Sequence, residues 1–173
     1  MTEDQVASAL SVSRQSVAVE HVTIRTPKAY ESVKADIEKA VNRLDDTARA
    51  MLRNNDIAAL RERLKQISGT TGLAIHYVGP HGDWLALQGQ RRNCCSYFIG
   101  NVLYAVRMTS HDLAAGLYAP LRVVIHEPEG GGCVAEYDRP STQFGQFGNP
   151  AIDAVARELD DKLHMLLLQV CKP

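Results

Sequence analysis

Leu121-Arg-Val-Val-Ile-His-Glu127, Pro128-Glu-Gly-Gly-Gly132 and Cys133-Val-Ala-Glu-Tyr-Asp138 run consecutively, and their reading decides the fold. Two runs rich in β-branched residues flank a loop of one proline and three glycines, the pattern of a β-hairpin. Side chains alternate between the two faces of a strand. Leu121, Val123 and Ile125 therefore share one face, as do Cys133, Ala135 and Tyr137. Burying both apolar sets together requires odd positions to pair with odd and even with even, because a slip of one residue would turn a whole set outward. One such register sets Arg122 opposite Asp138 and Val124 opposite Glu136. An Arg–Asp pair of this kind is worth roughly 0.2–1 kcal/mol at an exposed position. The second face then holds Arg122, His126, Glu136 and Asp138. This mixed-charge set suits a polar site, a solvated sheet face or a subunit interface.

Downstream, Arg139-Pro140-Ser141 leads into Phe144-Gly-Gln-Phe-Gly-Asn-Pro150. Asn149-Pro150 opens a long helix, with a capping side chain and a proline at the first helical position. Ile152, Val155, Leu159, Leu163, Leu166, Leu167 and Val170 line one side of it. Upstream, Val102 to Thr109 reads as a short helix and Cys95–Ile99 as a short strand ending at Gly100-Asn101. Leu73–Val78 and Trp84–Gln88 read as strands joined across Gly79-Pro-His-Gly-Asp83. A helix starts near Asn55-Asp56, carries Ile57, Leu60, Leu64 and Ile67 on one face, and stops at Gly69. An earlier helix starts at Thr26-Pro27 and presents Tyr30, Val33, Ile37, Val41 and Leu44. Asp45 to Asn54 either continues or bends that helix, and Val17–Ile24 reads as the first strand. The strands cluster instead of alternating with long helices, so the expected class is α+β. We expect a two-layer domain, an antiparallel sheet of about five to six strands with helices packed on it. Residues 1–15 are expected to form a flexible N-terminal segment and 16–173 a single domain.

Composition narrows the function classes. The chain has 173 residues, 45% of them hydrophobic and 23% charged, with a formal net charge of −1. That length can bury roughly two-thirds of the unfolded surface without a disulfide or metal staple. No apolar run is long enough for a membrane span, and the N-terminus lacks a secretory pattern. A pI near 6.6 gives no electrostatic footprint for nucleic acid or an anionic membrane. A cytoplasmic protein without cofactor is expected, with its four cysteines, Cys94, Cys95, Cys133 and Cys171, reduced. Cys94-Cys95 reads as two thiols on successive strand positions, one facing in and one out; the competing reading is a vicinal disulfide or soft-metal site.

Catalytic motifs are sparse. The six histidines, His21, His76, His81, His111, His126 and His164, show no HxxxH or HExxH spacing, although His76 and His126 both lie on expected strands. Ser141 and Ser96 lack a nucleophile elbow. Gly130-Gly-Gly132 leads into a strand instead of a helix, unlike a phosphate loop. Asp160-Asp161 reads as a solvated helix face. Two of the three phenylalanines, Phe144 and Phe147, sit in the glycine-broken loop after the hairpin. They suit a lid over an apolar pocket, an anchor for a partner subunit, or a cap on their own core.

Tyr137-Asp-Arg-Pro-Ser141, Gly100-Asn101 and Leu117-Tyr-Ala-Pro-Leu-Arg-Val-Val-Ile-His-Glu127 together resemble domain-of-unknown-function family 302. The likeness is best over residues 90–170 and extends more loosely back to the first strand. It implies a compact α+β domain, often found as a dimer, with no established reaction. The family's typical domain is shorter than this chain, which makes residues 1–15 and the Asp45–Gly72 stretch candidate extensions of it.

The leading functional expectation is a self-associating module, a homo-oligomer and most simply a dimer, that binds a small molecule or a partner. Its ligand-binding residues would be Arg122, His126, Glu136, Asp138, Ser141, Phe144 and Phe147. One alternative is an enzyme using His126 with Asp138 or Glu136 for proton transfer, or Cys94/Cys95 as a thiol. Another is an interaction protein with no pocket. A closed pocket lined by Arg122, His126 and Asp138 would favour ligand binding or catalysis, and an open flat face would favour interaction.

Overall fold

A computed structural model describes residues 10–173. Residues 1–9, most of the expected flexible segment, lie outside the described residues. The chain runs β1 (His21–Thr26), α1 (Tyr30–Ala40), α2 (Asp46–Arg53), α3 (Ile57–Ser68), β2 (Ala74–Gly79), α4 (His81–Trp84), β3 (Cys94–Gly100), α5 (Val102–Thr109), β4 (Leu121–His126), β5 (Cys133–Asp138), α6 (Pro140–Phe144) and α7 (Pro150–Val170). Five antiparallel strands form one sheet in the order β1-β5-β4-β3-β2. The fold is α+β, as the clustered strands implied.

The hairpin pairs odd with odd: Val123 faces Tyr137 and Ile125 faces Ala135, while Val124 faces Glu136. Val123, Ile125 and Ala135 are fully buried, with Tyr97, Cys95 and Ile99 of β3 beside them. Tyr30, Val33 and Ile37 of α1 and Ile152, Val155, Leu159, Leu163 and Leu167 of α7 close that core. Asn149 caps α7 by accepting the N–H of Ala151, with Pro150 at its first turn. A smaller apolar cluster joins Ala48 of α2, Leu64 and Ile67 of α3, and Ala74 at the start of β2.

Several boundaries differ from expectation. β1 begins at His21, because Asp138 of β5 is its first cross-strand partner. Thr26 ends that strand instead of capping α1. Its hydroxyl donates to the Cys171 carbonyl at 2.7 Å and accepts the Lys28 N–H at 3.1 Å. Asp45–Asn54 is neither an extension nor a bend of α1 but a separate helix, capped by the Asp45 side chain on the Ala48 N–H. Trp84–Gln88 is not a strand. His81–Trp84 is one helical turn and Leu85–Gln88 a 3₁₀ turn, closed by Gly89 at φ 69°. The reason lies at Gly82, where a Cβ would meet the Arg92 carbonyl oxygen at 1.9 Å. The turn therefore packs directly on the backbone entering β3, and β2 pairs with β3 itself.

Candidate interaction face

The face of the sheet opposite α1 and α7 carries the even positions of the hairpin. One row across it contains His21, Asp138, Arg122, Phe98 and Tyr77, and the next contains Thr23, Glu136, Val124, Ser96 and Gly79. His126 stands in a third row, with Arg25, Val134 and Cys94. Solvent reaches much of this surface. His21, Thr23 and Arg122 are exposed, Phe98, Val124, His126, Glu136 and Asp138 are half-buried, and Tyr77 is 55% exposed. Tyr77 and Phe98 rest on each other, with ring centroids 5.7 Å apart. Part of it is covered: Val134 is buried, and His81, on α4, bonds Ser96 Oγ through Nε2 at 3.0 Å.

The polar groups form a connected set across three strands. Glu136 accepts the Thr23 hydroxyl at 3.3 Å and lies 3.3 Å from His126 Nε2 and 3.7 Å from His21 Nε2. His21 Nδ1 lies 2.9 Å from Asp138 Oδ1, and that hydrogen bond holds the imidazole above its ordinary titration range despite its exposure. The expected Arg122–Asp138 ion pair is absent: Asp138 is taken by His21, and Arg122 makes no ion pair among the described residues. Arg122 and Asp138 instead line a cleft of about 90 Å³ with Tyr118, Pro120 and Gln143. His126 lies outside it. Among the described residues no three His, Cys, Asp or Glu side chains are arranged to hold a metal ion.

The remaining expected site residues stand elsewhere. Ser141 is on α6, where its N–H donates to Asp160 Oδ1 at 2.8 Å. Asp160 is buried, which corrects its assignment to a solvated helix face. It also accepts Arg139 Nε at 2.9 Å, and Arg139 reaches Glu20 at 3.0 Å. The Tyr137–Ser141 segment thus clamps β1, β5, α6 and α7 together. Phe144 is fully buried. Phe147 lies 6.5 Å from it and 6.2 Å from Tyr118, centroid to centroid, so this aromatic loop caps its own core and forms no lid. His76 does not approach His126; it lines a separate cleft with Gly100, Pro120, Met108 and Phe144. All four cysteines are free. Cys95 faces the core and Cys94 the other side, as alternation required. Burial pushes the Cys94 and Cys171 thiols up and Cys133 up to about 12, the opposite of an activated thiolate.

Sequence reasoning missed His21 and Thr23. The hairpin identified the face, but nothing local revealed that β1 would add itself beside β5. Phe98 and Tyr77 were missed because β3 is largely buried at both parities and β2 carries a register shift between Ile75 and Tyr77, so neither strand alternates cleanly.

A two-layer α+β domain with one helix-covered and one open sheet face is the class these observations define. The chain belongs to the DUF302 family, "Domain of unknown function DUF302", whose model matches residues 49–170. The match includes most of α2 and all of α3, so most of the Asp45–Gly72 stretch is part of the family domain and not an extension of it. A crystal structure of an uncharacterized conserved DUF302 protein from Bacillus stearothermophilus superposes with a TM-score of 0.62 at 15% identity, over 88% of this chain and 98% of that one. At that identity the likeness establishes the fold alone. No curated protein matches the chain. Among the described residues no helix is long and apolar enough to cross a membrane.

Proposed function

We propose that this chain is a self-associating binding module in which two copies meet through the open faces of their sheets. The observation that carries this reading is the composition of that face. Exposed Tyr77, with Phe98 and Val124, forms an apolar strip, flanked by Arg122, which has no ion-pair partner among the described residues, and by the carboxylates of Glu136 and Asp138. A patch holding apolar area and both signs of charge is complementary to itself, which a two-fold interface requires. Aromatic residues and arginine are also the types enriched where protein surfaces meet. The enzyme reading has less support. His126–Glu136 and His21–Asp138 are imidazole–carboxylate pairs, but they lie on an open surface instead of in an enclosed pocket.

Sedimentation equilibrium over micromolar concentrations tests the proposal. The wild-type chain should run as a dimer and Phe98→Glu as a monomer, with the melting temperature of the variant within a few degrees of wild type. A wild-type monomer at every concentration, or a dimer that survives both Phe98→Glu and Tyr77→Glu, would overturn it.

A further inference from the structure

Another cleft lies away from the sheet face. It is a groove of about 600 Å³ between α2, α3 and α5, within the size range of small-molecule sites, roughly 300–1,000 Å³. Buried Ala48 and Leu64 form part of its floor, and Leu44, Leu60, Val102 and Leu103 are half-buried along it. Its lips are apolar yet open to water: Leu52, Ile57 and Val106 are 61%, 48% and 57% exposed. Leaving such side chains in solvent forgoes burial energy, so a contiguous patch of them marks a binding surface.

Charge says what kind of molecule fits. Each of the three helices contributes one arginine to the groove, Arg49 from α2, Arg61 from α3 and Arg107 from α5, and among the described residues no aspartate or glutamate lines it. Arg49 is paired with Asp46 at 2.8 Å, and Arg107 meets both oxygens of Glu158 at 3.0 and 2.7 Å. The exposed Arg49–Asp46 pair exchanges partners at little cost, whereas the two-pronged Arg107–Glu158 pair holds its guanidinium in place. Arg61 is exposed and takes part in no ion pair among the described residues. The groove therefore combines an apolar channel with guanidinium groups suited to a carboxylate.

We infer that this groove binds a monomeric single-chain amphiphile with an anionic headgroup, of the fatty-carboxylate class, its chain along Leu52, Ile57, Leu60 and Val106 and its headgroup at Arg61. This site is separate from the sheet face, and the inference does not depend on self-association there.

Isothermal titration of the full chain with octanoate, decanoate and dodecanoate below their micellar concentrations tests it, alongside dodecanol and dodecyltrimethylammonium. Affinity should rise by roughly four-fold for each added methylene until the groove is filled. Dodecanoate should bind at least about ten-fold more tightly than the cationic amphiphile, and Arg61→Glu should remove most of that preference while sparing dodecanol binding. Methyl resonances of Leu52, Ile57 and Val106 should shift on binding. Arg61 is a surface residue, so its variant reports on charge and not on folding. Equal affinity for the anionic and cationic chains, no saturable binding of dodecanoate, shifts confined to methyl groups outside the groove, or association only with phosphatidylglycerol vesicles would each overturn the inference. So would finding the groove protected from hydrogen exchange by a protein partner while dodecanoate fails to compete.

Discussion

Ile125 and Val124 are neighbours on β4 with similar side chains, yet they occupy different environments. Ile125 is fully buried beneath α1 and α7, while Val124 is half-buried between Glu136 and Ser96. The two faces of this sheet share a backbone and a register but not an energetic role. The covered face is apolar and closed, and its side chains hold the fold together. The other face carries histidines, carboxylates, Arg122 and two aromatic rings, most of them open to solvent and expected to contribute less to folding. The comparison separates residues whose loss should unfold the chain from residues whose loss should alter what it binds.

The sharpest way to break that contrast is to truncate the two neighbours. Ile125→Ala leaves a cavity at a fully buried position and should cost about 2–5 kcal/mol. Val124→Ala removes less area at a position still wetted by solvent, and should cost under about 1 kcal/mol. Urea unfolding followed by circular dichroism reads both. Equal losses would mean that the open face is part of the folding core and not a surface held in reserve.

A second, smaller effect is expected at the clamp. Asp160 is a buried carboxylate that accepts the Ser141 N–H and the Arg139 guanidinium, and it joins α7 to the end of β5. Asp160→Asn should cost about 1–3 kcal/mol, because it weakens a bond to a charged group and turns a donor toward donors. Arg139→Ala in the Asp160→Asn background should then cost less than it does alone, since the two share one interaction. Additive losses would show that Arg139 acts through Glu20 instead.

The hairpin and its faces were legible in the sequence because a period of two imposes only two choices, and six apolar residues at odd positions select one of them. α3 and α7 were legible for the same kind of reason: Asp56 and Asn149 stand where a cap is needed, each accepting a backbone N–H within the first turn. Trp84–Gln88 misled because a short, mostly apolar run fits a strand or a helix equally. What decided it was Gly82 touching backbone ten residues further on, a contact with no local signature. The open face was legible only along β4 and β5. Its contributions from β1, β2 and β3 depend on strand order, which pattern alone does not encode. The arginines of the groove were invisible for a similar reason, since Arg107 on α5 joins Arg49 and Arg61 only when α5 packs beside the consecutive helices α2 and α3. Phe144 and Phe147 follow the core-capping reading, one of three the sequence allowed, because Tyr118 supplies a third ring and the three pack together.

The smallest expected effect distinguishes the faces by how each shifts a titration. On the covered face, burial pushes the hydroxyls of Tyr97 and Tyr30 upward, since the charged form would lose its water. On the open face His21 is also raised, but by a partner: the hydrogen bond to Asp138 is the largest cause, and the nearby Glu136 adds to it. A histidine raised in the folded state binds its proton more tightly there than in the unfolded chain. Its contribution is therefore fully present below pH of about 6.5 and fades as pH rises through the folded value. Because His21 is exposed, this should be a slight slope in stability between weakly acidic and weakly alkaline pH, with no unfolding transition. The His21 ring protons, followed by NMR across that interval, should titrate above about 6.5 in the wild type and move back toward it in Asp138→Asn. An unchanged His21 titration in that variant would assign the shift to Glu136 and make that carboxylate, shared with His126 and Thr23, the electrostatic centre of the face.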